Sequence, residues 1–393
     1  MYNVKIDCSA AKKVIADDMI LTKGVATTAG SKMLEGFVSL FASEALVRLE
    51  EKGYGLVGKA KVGEFGFDLL GETAFNGALT ADGVLKLAAA EAVLANEADV
   101  ALTMDINGSV RRAAAQTGLV SVKPTYGTVS RYGTVPVACS GETVSLMAKN
   151  VADVKDALAA VVGHDPKDGT SLPDSMYVTD AATSKKVAVL TDMLANVNAD
   201  VKAKIDSAVA ALKADGIEVV EVNNDKIAAA KVAWNILMSA ELCNNVSRYD
   251  GVKYGYRTPN FTNLDELYMN SRTEAFGELL KTAILFGSET LSTDNYMKVY
   301  DKALRIRRVV VEEFKKLFQE FDAVLMPACS TLEYTVDAVN NDKYMAFNEN
   351  FYTAPASISG LPAVVAGGVQ LVGKAFSEDK LFTLAEKLEK EGK

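Results

Sequence analysis

Apolar residues recur along this chain at two alternating periods. Val187-Ala-Val-Leu190 is a short continuous run rich in β-branched side chains, which reads as a buried strand. From Ala199 to Ala214 the apolar positions Val201, Ile205, Val209 and Leu212 fall at helical spacing. Asp215-Gly216 then turns the chain into a second apolar run, Ile217 to Val222. Strand, helix, strand in that order is the signature of parallel strands covered by a helix. Other segments continue the alternation. Asn150 is placed to cap a helix over Val151 to Val162, with Asp153 near its free N–H groups. Thr293 can cap a long helix to about Glu320, with an apolar stripe that includes Met297, Tyr300, Leu304, Val311, Phe314 and Phe318. A strand from Ala323 to Met326 follows and Pro327 ends it. Ser377, with Glu378 and Asp379 in the first turn, starts a last helix, and Glu386 to Lys393 reads as its solvated end. No repeat or Pro/Gly-rich hinge interrupts the pattern, so we expect one continuous α/β domain over residues 1–393.

Composition narrows the chemistry. With 49% hydrophobic residues, 393 residues can bury a sizeable core. Lys plus Arg is 42 and Asp plus Glu is 51, a net charge of −9, which argues against holding nucleic acid by a global field. The single histidine, His164, excludes His-rich metal sites and leaves a Ser-His-Asp triad only if it is itself the base. Cys8, Cys139, Cys243 and Cys329 form no CxxC pair, so reduced thiols are expected and neither a zinc site nor a disulfide framework. No metal or cofactor is implied. The N-terminus lacks an apolar signal region and no apolar stretch reaches membrane-spanning length; the expectation is a soluble cytoplasmic protein with no membrane partner.

Two stretches carry chemistry. Asp105-Ile106-Asn107-Gly108-Ser109-Val110-Arg111 places a serine after a Gly/Asn turn, where backbone N–H groups can face an anion; Asn-Gly-Ser is also an ordinary turn. Val122-Lys123-Pro124-Thr125-Tyr126-Gly127-Thr128-Val129-Ser130-Arg131-Tyr132-Gly133 is a dense polar and glycine loop without a hydrophobic period. On that loop the chain resembles the amidase signature family, and within it the A chain type of the glutamyl-tRNA(Gln)/aspartyl-tRNA(Asn) amidotransferase. The resemblance continues through Thr22–Lys32, Gly163–Asp168, Ser247–Arg257 and Ser359-Gly360-Leu361-Pro362. It implies a three-layer α/β/α sandwich around a mixed, largely parallel sheet. Against that pattern the chain is N-terminally shortened and carries deletions between Phe65 and Gly83 and after Val364.

The resemblance also implies a mechanism: a lysine base, a bridging serine in a cis peptide, and a serine nucleophile whose oxyanion is held by backbone N–H groups. Ser109 occupies the nucleophile position, with Ile106, Asn107 and Gly108 forming the oxyanion turn. Asn107 replaces a glycine there and is expected to tolerate left-handed backbone. The other relay positions differ. Ungapped spacing puts Leu85 at the bridging serine, and Asp17 falls at the lysine base. Leu85-Lys86-Leu87-Ala88-Ala89-Ala90 is a strong helix former, so a helix is expected to run through this point without a cis peptide. Lys59 matches a non-catalytic lysine of the family, and Lys86 is either a relocated base or a solvated helix lysine.

For the substrate pocket the resemblance points to Arg307 for a carboxylate, Tyr256 for the amino-acid moiety, and Asn350 where the family has an acid for an α-ammonium. Arg111 reads as structural; Lys123 and Arg131 as braces of the loop; His164 as a loop hydrogen-bonder. Three functions stay open. One is a catalytically impaired relative that binds a small amide or amino-acid ligand or a partner. Another is an active serine amidase or glutaminase supplying ammonia for tRNA-dependent amidation. The third is a structural subunit beside amidotransferase-like companions.

Overall fold

The structure, a computed structural model, describes residues 1–177 and 183–389. The last residues of the expected C-terminal helix end, 390–393, lie outside the described residues. Eleven strands form one mixed sheet. From edge to edge they are Tyr2–Lys5, Tyr54–Ala60, Lys12–Asp17, Val100–Asp105, Thr143–Ala148, Val120–Lys123, Ala363–Ala366, Val369–Gly373, Ala323–Met326, Lys186–Leu190 and Glu218–Val222. Lys12–Asp17 runs parallel to both of its neighbours, as does Lys186–Leu190, and the strands between these two groups pair antiparallel.

Both faces of the sheet are covered, which makes three layers. Alternation within single strands shows this: Val14 and Ala16 pack into one core and Ile15 into the other, and Val364 and Val365 divide the same way. The helix Ala199–Ala214 and the parallel strands flanking it follow the hydrophobic periods. Asn150 caps Val151–Val161 by accepting from the Asp153 N–H, and the last helix runs Glu378–Glu389.

Two expected helices take other forms. The long one divides into a π-helical turn, Tyr296–Tyr300, and an α-helix, Asp301–Leu317, so Thr293 is not its cap. Met297 and Leu304 of its supposed apolar stripe face solvent. Around Leu85 the chain forms a short hairpin, Thr80–Ala81 with Val84–Leu85, and the helix begins only at Ala88. Asp82 and Gly83 take left-handed backbone, and the Leu85 N–H donates to Tyr334 O at 2.8 Å. That pairing with a distant loop outweighs the local helix propensity. No cis peptide occurs among the described residues.

Candidate active site

Strand Val100–Asp105 ends in the turn Ile106–Gly108, and helix Ser109–Thr117 starts directly behind it. The turn depends on Gly108, whose φ is +89° and whose missing Cβ would lie 2.3 Å from the Thr353 side chain. The left-handed residue is therefore Gly108 and not Asn107, whose φ is negative; the expectation for Asn107 is corrected. Ile106 is fully buried. Among the described residues, the N–H groups of Asn107, Gly108 and Ser109 meet no protein acceptor. Unpaired backbone donors thus stand together at the start of a helix.

Asn107 has another task. Its Nδ2 donates to Phe67 O at 3.1 Å, its Oδ1 accepts from the Trp234 indole N–H at 2.8 Å, and its carbonyl accepts from Arg112 and Thr353. Both Asn107 and Trp234 are 1% exposed. Arg111, also fully buried, forms a two-pronged ion pair with Asp105 at 2.8 and 2.9 Å. It donates further to Thr353 O, Gln370 Oε1 and Ser357 Oγ. This satisfies its fork and ties the turn to helix Met345–Ile358 and strand Val369–Gly373, as expected of a structural arginine. Arg112 is equally buried and donates to three carbonyls, of Asn107, Asp68 and Leu69.

Asp17 and Ser109 line the same cavity, together with Met19, Leu87 and Met104. Its volume is about 10 Å³, room for about one water. Asp17 accepts from the Met19 N–H at 2.9 Å and the Met104 N–H at 2.6 Å. Burial pushes its carboxyl up to about 7, against the pull of those N–H groups and of Lys59. Among the described residues no hydrogen bond reaches the Ser109 hydroxyl, and Ser109 is 7% exposed. Leu85 is buried in the hairpin and does not line this cavity. Lys59 is fully buried and committed elsewhere: its ammonium bonds Ile20 O and Thr27 Oγ1 and pairs with Asp18 at 3.4 Å. The Lys86 side chain does not line the cavity either.

The three substrate-pocket candidates have separate hydrogen-bond partners. Arg307 donates to Ser140 O at 3.2 Å and Ser140 Oγ at 3.4 Å. The carboxylate of Glu241 takes both the Ser140 N–H and its hydroxyl, so a cation and an anion converge on one serine at the surface. Tyr300 adjoins them: burial raises its phenol, and Glu241 adds to the rise while Arg307 opposes it. Tyr256 has its hydroxyl on Glu274 at 2.7 Å and its ring under the Lys32 ammonium. Asn350 is fully buried; its Nδ2 donates to Asn235 at 2.8 Å and its Oδ1 has no partner among the described residues. Neither Tyr256 nor Asn350 shares a hydrogen bond with Arg307 or Ser140 among the described residues.

Residues 88–382 match the profile of the family described as amidase. The A chain type of glutamyl-tRNA(Gln) amidotransferase from Caldanaerobacter subterraneus is 32% identical, over 96% of this chain and 82% of that protein. Its counterpart from Latilactobacillus sakei is 35% identical, over 93% and 79%. The crystal structure of the Thermotoga maritima counterpart superposes with a TM-score of 0.80 at 26% identity, over 99% of this chain and 86% of that one. The urea amidolyase of K. lactis shares the fold, with a TM-score of 0.81 at 21% identity, over 97% of this chain and 23% of that one. The chain belongs to the amidase family.

Within the amidase frame, the loop residues act as braces. Arg131 pairs with Glu142 at 2.7 Å, and its N–H is held by Asp168. Lys123 is buried with its ammonium on Pro124 O, and burial lowers it to about 7. His164 bonds Leu172 O through Nδ1. Sequence reasoning missed Trp234, Ser140 and Glu241. The first sits near the start of helix Ala230–Val246, where periodicity reads it as core. Its polar partner is 127 residues away, beyond any local pattern. Among the described residues no helix is long and apolar enough to cross a membrane.

Proposed function

We propose that this amidase-family chain does not hydrolyse amides and binds a small zwitterionic ligand of the amino-acid class at Arg307. The carrying observation is the cavity shared by Ser109 and Asp17. It has room for about one water, no hydrogen bond joins a base to the serine among the described residues, and its ionisable lining residues are two carboxylates, Asp17 and Asp68, each already holding two backbone N–H groups. A nucleophile without base or space leaves little of the family's rate, because such residues act as a unit. Ligand binding is supported by Arg307 and Glu241 meeting at Ser140: a guanidinium suits a carboxylate and a carboxylate suits an ammonium. Tyr256 and Asn350 take no part in this reading.

Thermal denaturation with L-glutamine, L-glutamate, L-asparagine and L-aspartate tests it. At least one should raise the melting temperature, be recovered unchanged, and lose its effect in Arg307→Ala. Stabilisation that persists in Arg307→Ala sinks the site.

A role within a larger assembly draws on different observations. The relatives are named as components of an amidotransferase. Phe37, Val38, Leu40 and Phe41 stand exposed on one loop, Leu40 at 86%, a patch that suits a companion chain. Copurification of a companion with the chain, lost in Leu40→Asp, is the expected result of that reading.

A further inference from the structure

The indole of Trp234 touches both halves of the site. On one side its N–H is spent on Asn107 Oδ1, at the turn that carries Ser109. On the other, its ring presses on Gly141: a Cβ there would lie 2.4 Å from Trp234 Cη2 and 2.8 Å from Met238 Sδ. Gly141 follows Ser140, the residue that Arg307 and Glu241 both hold. The order through the molecule is thus Arg307, Ser140, Gly141, indole, Asn107, Ser109. The indole is 1% exposed and Asn107 is fixed from its other side by Phe67 O, so neither can swing away without breaking a buried hydrogen bond.

We infer that Trp234 is the wall between the surface cluster at Arg307 and the hydroxyl of Ser109, so that a ligand held at the first is excluded from the second. Asn107 is the positioning residue of this wall. A glycine in its place would leave the indole N–H unpaired and the ring free to tilt, whereas the asparagine pins it. Only the consequence for a ligand rests on the reading of Arg307 given above; the wall itself rests on the Trp234, Asn107 and Gly141 contacts.

Accessibility at position 109 tests the wall without relying on activity. A Ser109→Cys variant is alkylated with iodoacetamide in the full chain, and modification at that position is followed by mass spectrometry of its own peptide. This keeps Cys8, Cys139 and Cys243 from obscuring the signal. Alkylation should be slow with Trp234 present and at least tenfold faster with Trp234→Ala added. Trp234→Phe, which keeps a ring but no N–H donor, should fall between. Equal rates in the Ser109→Cys parent and the Trp234→Ala double variant, both giving cooperative melts, would overturn the wall, as would rapid alkylation in the parent. If Trp234→Ala does not fold, Asn107→Gly takes its place with the same expected acceleration, and an unchanged rate overturns the inference. Failure of the Arg307 ligand assay leaves these rates untouched, so the two ideas fail separately.

Discussion

Arg111 and Ser109 sit two residues apart at the start of one helix, yet their surroundings differ completely. The guanidinium of Arg111 spends its N–H groups on Asp105, Thr353, Gln370 and Ser357, and joins the turn to two other elements of the fold. The hydroxyl of Ser109 meets no partner among the described residues, and Ser109 lines a cavity of about 10 Å³. One residue is needed for the backbone to take its shape; the side chain of the other makes no hydrogen bond that the fold requires. The contrast extends outward. Gly108, which the turn requires, takes its left-handed conformation, while the positions that the resemblance assigns to the base and bridging serine hold Asp17 and Leu85. On the proposed reading, the architecture of an amidase site persists for packing reasons after the groups that move protons have been replaced.

The largest effect should come from breaking the structural half. Arg111→Met leaves Asp105 buried and unpaired, and should cost about 3–5 kcal/mol in urea denaturation. Ser109→Ala in the same assay should stay within about 0.5 kcal/mol, because no hydrogen bond is lost. A Ser109→Ala cost approaching that of Arg111→Met would erase the contrast.

Asp17 sharpens the comparison through pH. Its carboxyl is raised from its ordinary 3.8 to about 7 by burial, so between these values the folded chain binds a proton that the unfolded chain has released. Stability attributable to Asp17 therefore falls as pH rises from about 4 to 7, by up to about 1.4 kcal/mol per pH unit, and the penalty is complete above pH 7. Glu64, also buried and raised to about 7, contributes in the same sense. Asp17→Asn should flatten the slope of unfolding free energy against pH in that window, and an unchanged slope would show that Asp17 is not the buried acid described here.

A smaller effect is expected at the turn. Asn107→Gly removes the acceptor of the Trp234 N–H and the donor to Phe67 O, which should cost about 1–3 kcal/mol in denaturation. A neutral result would mean that the indole finds another partner.

Much of this layout is legible in the sequence. The periods over Val187 to Val222 give a strand, a helix and a parallel strand, and Ala323–Met326 is a strand as its apolar run and Pro327 indicate. These segments are legible because burial on a sheet face or helix stripe writes itself into local spacing. The stretch at Leu85 is not: its residues favour helix, but Asp82 and Gly83 turn left-handed and the strand pairs with Tyr334, far along the chain. At the site, the turn before Ser109 and the structural role of Arg111 are readable. The partners of Tyr256 and Asn350 are not readable, because matching positions cannot show that one side chain bonds Glu274 and the other Asn235. Trp234 and Glu241 share one helix, but Ser140 and Asn107 reach them only through long-range packing.

The most direct test of the central claim is ammonia release from glutamine, asparagine and simple primary amides by the purified chain beside its Ser109→Ala variant. The two should give the same background rate for every amide. Release by the native chain that disappears in Ser109→Ala would show a working serine amidase and contradict the account.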